Sequence, residues 1–112
     1  MRRLVCLLIA AALPSVSASA EFRTGADIKP GLEGWVSDGS TETVRDALAF
    51  GYVIGVHDAL AGTAVCIGEG VTQRQVVDVV LEFMRRNPTV LDASADRVIA
   101  VALEEVWPCP KT

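Results

Sequence analysis

The pattern of apolar positions predicts two amphipathic helices in the second half of the chain. The later helix has its apolar residues in a single stripe with spacings of three and one: Ala95, Val98, Ile99, Ala102, Leu103 and Val106. The earlier helix begins at Thr72, which fits a capping box with Gln75, and it stops at Asn87 and Pro88. Its apolar face consists of Val76, Val77, Val80, Leu81 and Met84.

A further helix is predicted upstream, from an N-cap at Ser40 or Thr41 to about Leu60. Its expected apolar face consists of Val44, Leu48, Tyr52, Val56 and Ala59, with Val53 alongside. Gly51, Gly55 and Ala59 stand in one row on this helix, although glycine costs a helix interior about 1 kcal/mol relative to alanine. Such a row indicates that another backbone passes close by. We expect a helix crossing inside the domain; a ligand or a second subunit are the alternatives.

The segment 21–39, which precedes this helix, is predicted to be irregular. Glycine and proline recur in it among few apolar residues, so at most one short turn is expected near 29–35. Phe22 and Trp35 are its expected anchors on the core. The whole pattern predicts an all-α fold, a small bundle of three to four helices over 40–112 with an irregular N-terminal segment.

Residues 1–20 have the features of a secretory signal peptide. Arg2 and Arg3 precede an apolar run over 4–13, and a cleavage site with small residues follows at 18–20. The run is too short to anchor a helix stably across a bilayer. We therefore expect export, cleavage before Glu21 and no membrane attachment afterwards. A buried helix formed by this segment is the less favoured alternative.

Cleavage of that segment would remove Cys6 and leave two cysteines, Cys66 and Cys109. An even number of cysteines in an oxidising compartment predicts that they pair. The bond would close a loop of about 44 residues and stabilise the fold by roughly 4 kcal/mol. A metal site or a redox pair is a weaker interpretation, because there is no CxxC motif and His57 is the only histidine. No metal ligand and no cofactor site is predicted.

The charge balance excludes two classes of partner. Without Arg2 and Arg3, 8 basic residues stand against 14 acidic ones, a net charge of −6. The chain has no cluster of lysines and arginines, so neither nucleic acid nor an anionic membrane is an expected partner. A basic partner protein fits this charge, and so does solubility alone.

His57 and Asp58 are neighbours that could form an acid–base pair. Consecutive helical side chains point about 100 degrees apart, so we predict that these two do not face each other. Glu104 and Glu105 lie opposite the apolar stripe and are interpreted as a solvated face. No catalytic residue is assigned, and we expect that the protein is not an enzyme.

Several motifs along the last two thirds of the chain resemble one family. They are the sequence GYVIGVHDAL, Cys66-Ile67, Val71-Thr72, Gln75-Val76, Val79-Val80, Asn87-Pro88, Ala95, Val98, Ala102-Leu103 and Trp107-Pro108-Cys109. Together, over residues 44–109, they resemble the Rap/Tai family of periplasmic immunity proteins. Two features depart from the family pattern: Phe50 stands where one member of a second cysteine pair would lie, and Gly68 replaces a proline after Ile67.

This resemblance implies a function. Members of that family are small helical proteins with disulfides, often dimeric, which protect bacteria from peptidoglycan-cleaving amidase effectors delivered by type VI secretion. It therefore implies a periplasmic immunity protein that binds and occludes such an amidase, and a homodimer. The expected contact region is the loop 62–70, with Gly68, Glu69 and Gly70 as partner-binding residues.

Two other functions remain open. A periplasmic acid-stress chaperone would suit the small size, the single disulfide and the acidic balance equally, because protonation of 14 carboxylates would make the net charge positive. An exported adaptor without a toxin partner is the second, since a family resemblance says more about the fold than about one member's role.

Overall fold

The computed structural model of the protein describes residues 22–38 and 43–111. They form α1 (Gly25–Asp38), α2 (Val44–Leu60), α3 (Gln73–Arg86), a 3-10 helix (Pro88–Asp92) and α4 (Ala95–Val106). The all-α prediction is confirmed, because these residues form helices and no strand. None of the helices in the described ranges is long and apolar enough to span a membrane. The predicted signal peptide over 1–20 lies outside the described residues.

Helices α3 and α4 agree closely with the sequence pattern. The predicted capping box starts α3: the Gln75 N–H donates to Thr72 Oγ1 (3.1 Å), and the Thr72 N–H donates to Gln75 Oε1 (2.7 Å). All five predicted apolar residues of α3 are buried, together with Phe83. The predicted stripe of α4 is buried except for Val106, which is 46% exposed. The two helices pack on each other and supply much of the core.

Helix α1 occupies a region that was predicted to be irregular, so the prediction for 21–39 was wrong over 25–38. Its first turn has reciprocal hydrogen bonds: the Thr24 N–H donates to Asp27 Oδ2 (2.8 Å), and the Asp27 N–H donates to Thr24 Oγ1 (3.2 Å). The glycines and Pro30 are tolerated because α1 packs on α2 and α3. This tertiary burial outweighs a weak helix propensity.

The side chains that hold α1 on the core agree only in part with the predicted anchors. Ile28 and Leu32 are buried. Trp35 stacks on Phe50 of α2, with ring centroids 4.4 Å apart and planes inclined by 10°. Phe22 is 92% exposed, so its prediction as an anchor was wrong. It precedes the first turn of α1 and therefore has no helix face that would turn it toward the core.

Helix α2 ends at Leu60 as predicted, and its N-cap is Thr43. The Thr43 side chain accepts a hydrogen bond from the Asp46 N–H (3.1 Å), as expected of an N-cap residue. The predicted caps, Ser40 and Thr41, lie outside the described residues. The helix therefore begins a few residues later than the sequence pattern indicated.

The buried face of α2 differs from the predicted one. Asp46, Ala49 and Val53 are buried, whereas Val44 and Leu48, which were assigned to the apolar face, are exposed. The reason is that α2 is apolar around most of its circumference. Periodicity cannot select the buried side of such a helix.

Two glycines of α1 provide the close contact between α1 and α2. A Cβ atom added at Gly31 would lie 2.6 Å from the Arg45 carbonyl oxygen and 2.6 Å from the Ala49 Cβ. One added at Gly34 would lie 2.6 Å from the Asp46 carboxylate oxygens. Only glycine fits at such distances, so α1 lies directly against the backbone of α2.

The glycine row of α2 lies on the opposite side of that helix, facing open space. No atom lies within 4 Å of a Cβ added at Gly51 or Gly55, and Ala59 in the same row is exposed. The prediction that this row forms a helix crossing inside the domain was wrong. The crossing exists, but its glycines belong to α1.

The predicted disulfide joins Cys66 to Cys109, with an S–S distance of 2.00 Å. The Cys66 N–H also donates to the Trp107 carbonyl oxygen (2.9 Å), and Val65 forms an isolated antiparallel bridge with Pro108. The segment after α4 is therefore attached to the loop after α2 through both the backbone and the disulfide.

Candidate partner-binding surfaces

The loop between α2 and α3 starts with a tight turn. The Leu60 carbonyl oxygen accepts hydrogen bonds from the N–H groups of Thr63, Ala64 and Val65, at 3.1, 3.0 and 3.2 Å. Gly62 has φ 82°, and its N–H donates to the Val65 carbonyl oxygen (2.9 Å). Glycine adopts this left-handed conformation without a steric penalty. The turn thus fixes the direction in which the loop leaves α2.

The predicted partner-binding residues Gly68, Glu69 and Gly70 are exposed in the middle of this loop. We name them the exposed loop. Gly70 has φ 86°, again in the left-handed region. The Cys66 disulfide precedes the loop and the Thr72 capping box follows it, so it is held on both sides. Its part in partner binding stays a prediction.

A second surface lies near the other end of α2. It is a groove between α1 and α2 with a volume of about 130 Å³, and we name it the α1–α2 groove. Its lining residues are Arg23, Asp27, Ile28, Arg45, Leu48, Ala49 and Tyr52. Leu48 precedes Leu60 at the end of α2 by about 18 Å along the helix axis, at 1.5 Å per residue. The groove and the exposed loop are therefore separate surfaces.

The carboxylates beside the groove's arginines already have partners within the fold. Asp27 accepts a hydrogen bond from the Thr24 N–H, and this bond, the Thr24 side chain and the charge of Arg23 together lower the pKa of Asp27. The Asp46 carboxylate is buried and accepts from Nε of Arg45 (3.1 Å). Each of the two groove arginines therefore lies beside one aspartate, Arg23 beside Asp27 and Arg45 beside Asp46, so their charges are balanced.

The sequence analysis did not identify this groove. Arg23 and Arg45 are far apart in the chain, and only the packing of α1 on α2 brings them together. One sequence signal could have indicated them. An apolar residue followed by an arginine occurs as Phe22-Arg23 just before α1, and again as Val44-Arg45 at the start of α2.

His57 and Asp58 are in contact, so the prediction that they do not face each other was wrong. The Nδ1 atom of His57 lies 3.0 Å from Oδ1 of Asp58. Their Cβ directions diverge on the helix, but rotation about the side-chain bonds brings the ring and the carboxyl group together. The Asp58 side chain is 71% exposed, so the pair lies at the surface. Across residues 22–38 and 43–111, no group of three or more His, Cys, Asp or Glu side chains could hold a metal ion.

The exposed loop and all the groove's lining residues except Arg23 lie within the region that a protein-family comparison matches. The model of the Rap1a immunity proteins matches residues 24–109. The chain belongs to this family. The match runs from the start of α1 to Cys109, so the helices and the disulfide of the bundle all fall within the Rap1a region. A comparison with curated proteins finds no match.

Membership of the Rap1a family indicates the general role of the protein. A Rap1a immunity protein acts on a secreted effector, which implies a binding role rather than an enzymatic one. The family match also covers α1, the helix whose residues the sequence pattern left irregular.

Proposed function

We propose that the protein is a periplasmic immunity protein that binds a peptidoglycan amidase effector and blocks its active site without catalysis. The observation that carries this proposal is the Rap1a match, which includes all four described α-helices. The disulfide supports it further, because a bond between cysteines forms and persists in an oxidising compartment such as the periplasm.

Blocking an active site requires an exposed element that keeps its shape. Glu69 stands in the exposed loop between the Cys66 disulfide and the Thr72 capping box. A segment held on both sides loses less conformational entropy on binding than a free loop does. The net charge of −6 over residues 21–112 favours association with a cationic hydrolase. The exposed loop is therefore the proposed blocking element.

Protection of cells from lysis tests the proposal. The chain would be exported to the periplasm of a bacterial host together with a candidate peptidoglycan amidase effector, and culture turbidity would be recorded. Wild-type protein is expected to prevent lysis. Glu69→Arg is expected to protect less, because it places a like charge against a cationic active-site groove. Glu104→Arg, at an exposed position of α4, is the control and should protect fully.

The two results that would contradict the proposal differ in scope. Lysis in the presence of exported wild-type protein would overturn the immunity function against this amidase. Full protection by Glu69→Arg would remove only the exposed loop as the blocking element.

Export through residues 1–20 is part of the proposal. The intact mass of the protein in the periplasmic fraction is expected to match a chain that begins at Glu21. A periplasmic protein that retains residues 1–20 would contradict this cleavage.

A homodimer through the outer face of α2 is the last part of the proposal. The open row of Gly51, Gly55 and Ala59 would allow a second backbone to approach closely. Sedimentation velocity is expected to give a dimer for the wild type and a monomer for Gly55→Lys. Gly68→Lys in the exposed loop is the control and should leave the dimer intact. A wild-type protein that stays monomeric at high concentration would exclude the dimer.

A further inference from the structure

The exposed residues of α2 form one uncharged stripe on the side of the helix opposite its buried residues. We name it the α2 stripe, and its members are Val44, Leu48, Gly51, Gly55 and Ala59. At 100° and 1.5 Å per residue, these five positions lie within an arc of about 80° and span about 22 Å along the helix. Arg45 and Asp58 are the other two exposed residues of α2, and they border the stripe on opposite sides.

The two ends of the α2 stripe differ in side-chain size. Its first part has Val44 and Leu48, which are 77% and 61% exposed and do not belong to the core. Its last part has Gly55 and Ala59, and no atom of the described residues lies within 4 Å of a Cβ added at Gly55. One end therefore has large apolar side chains in solvent, and the other has space that no side chain fills. A continuous exposed apolar patch marks an interaction site.

A second, antiparallel copy of α2 has the shape that fits this stripe. In a two-fold dimer, a residue that contacts a different position of the partner is contacted by that same position in return. If Leu48 lies opposite the partner's Gly55, then Val44 lies opposite the partner's Ala59, because each pair is displaced by four residues along its helix. The large end of each helix thus meets the small end of the other.

The charges that border the stripe favour the antiparallel over the parallel arrangement. In a parallel two-fold pair, Leu48 would meet the partner's Leu48, and Arg45 would lie at the same level as the partner's Arg45. In the antiparallel register, Arg45 lies at the same level as the partner's Asp58. The two arginines are then about 20 Å apart along the helix axis, beyond the range of unscreened repulsion. The Arg45 and Asp58 side chains are 62% and 71% exposed.

We propose that two copies of the chain associate through antiparallel α2 helices, with Leu48 of each copy seated over the partner's Gly55. This inference rests on the proposed function for the existence of a dimer, and it adds the register and the residues that fix it. The glycine allows the leucine side chain to pack directly on the partner's backbone.

Exchange of the large and small residues tests this register. Gly55→Leu places leucine against leucine at both contacts, and Leu48→Ala removes the large side chain. Each is expected to weaken dimerisation about tenfold or more. The double variant Leu48→Ala, Gly55→Leu again has a large residue opposite a small one, so its dissociation constant should return close to that of the wild type. Sedimentation velocity at several protein concentrations measures all four proteins.

A matched control for these variants is Gly68→Leu. A Cβ added at Gly68 also meets no atom within 4 Å, and this residue lies outside the α2 stripe. It should therefore leave the dimer unchanged. Thermal unfolding followed by circular dichroism checks that every variant is folded. A loss of dimer with Gly68→Leu as large as that with Gly55→Leu would count against the stripe.

Disulfide trapping reads the register independently. Leu48→Cys protein is mixed with Gly55→Cys protein and oxidised with copper phenanthroline. The mixture is expected to give a covalent dimer on a non-reducing gel, and neither protein alone should do so. In the proposed register, identical positions are about 10 Å apart along the axis, whereas a disulfide requires Cα atoms within about 7 Å. Covalent dimer from Leu48→Cys alone would refute this register.

The outcomes separate this inference from the proposed function. A wild-type dimer whose double variant stays as weak as Gly55→Leu would refute the register alone. A wild type that stays monomeric would refute the dimer and the register together, and the lysis assay would still decide the immunity function. If such a monomer binds the amidase and Gly55→Leu weakens that binding, the α2 stripe is a contact for the effector, and the inference is overturned.

Discussion

The α3–α4 half and the α1–α2 half of the bundle differ in how much apolar surface they leave exposed. Helices α3 and α4 each have one apolar stripe and bury most of it, although Val101 and Val106 of α4 are each 46% exposed. Helix α2 is apolar on most sides and buries only one, so Val44 and Leu48 stay in solvent. A partner-binding surface is therefore best sought where a helix has more apolar surface than the fold covers.

The two halves also differ in how closely their helices approach. The α3–α4 half is built from large side chains, among them Leu81, Met84, Ile99 and Leu103, none of which is more than 1% exposed. Helix α1 instead places glycine directly against α2. In the α3–α4 half, substitutions are resisted because large side chains are densely packed. In the α1–α2 half, they are resisted because the helix contact has no room for side-chain atoms.

Loss of the disulfide should have the largest effect, because this bond attaches the end of the α3–α4 half to the loop after α2. The double variant Cys66→Ala, Cys109→Ala is expected to lose about 4 kcal/mol of unfolding free energy. Urea unfolding followed by circular dichroism measures it. A loss below about 1 kcal/mol would show that the backbone hydrogen bond between these segments is sufficient to hold them.

A matched pair of glycine substitutions tests the difference between the covered and open faces. Gly31→Ala places a Cβ 2.6 Å from the Arg45 carbonyl oxygen and should cost about 1–3 kcal/mol of unfolding free energy. Gly55→Ala meets no atom within 4 Å and should stabilise the helix by about 0.5–1 kcal/mol. Urea unfolding of the monomer measures both. Destabilisation by Gly55→Ala would mean that this face is covered within the monomer.

The aromatic stack between α1 and α2 should contribute less to the free energy of unfolding than the glycine contact does. A double-mutant cycle with Trp35→Leu and Phe50→Leu is expected to give a coupling energy of about 0.5–1.5 kcal/mol, because the two rings lie parallel and in contact. The coupling energy is calculated from the unfolding free energies of the wild type, the two single variants and the double variant. A coupling energy near zero would show that the rings act only through burial of their own surfaces.

The smallest effect concerns Asp27 at the start of α1. Its pKa is lowered in the folded protein, so its ionised form stabilises the fold above the ordinary value of 3.8, and this contribution is lost as the pH falls through the lowered pKa. The stability difference between wild type and Asp27→Asn should therefore be constant at neutral pH and shrink in acid. Unfolding curves at several pH values test this. A difference that grows in acid would have the wrong sign.

The fold could be predicted from the sequence where the signals are local. The Thr72 capping box and the one-sided stripes of α3 and α4 depend on residues within a few positions of each other, and both predictions were confirmed. Helix α1 was missed because its glycines and proline are unfavourable on their own and become acceptable only against α2. The steric argument about paired glycines was sound, but it was applied to α2 instead of α1.

The two candidate surfaces also differ in whether local sequence signals could predict them. The exposure of Gly68, Glu69 and Gly70 could be predicted, because a short polar loop rich in glycine between two helices stays at the surface. The α1–α2 groove could not be predicted, since Arg23 and Arg45 line it together only through the packing of α1 on α2.

The antiparallel pairing ahead of α1 and α4 has a consequence for how local opening of the bundle could be measured. The Ala95 N–H donates to the Arg23 carbonyl oxygen (2.8 Å), and the Gly25 N–H donates to the Ala93 carbonyl oxygen (3.0 Å). Such amide protons exchange with solvent only when the pairing opens. Hydrogen exchange at Gly25 and Ala95 would therefore report, from two backbone amides, how often the junction between the starts of α1 and α4 opens.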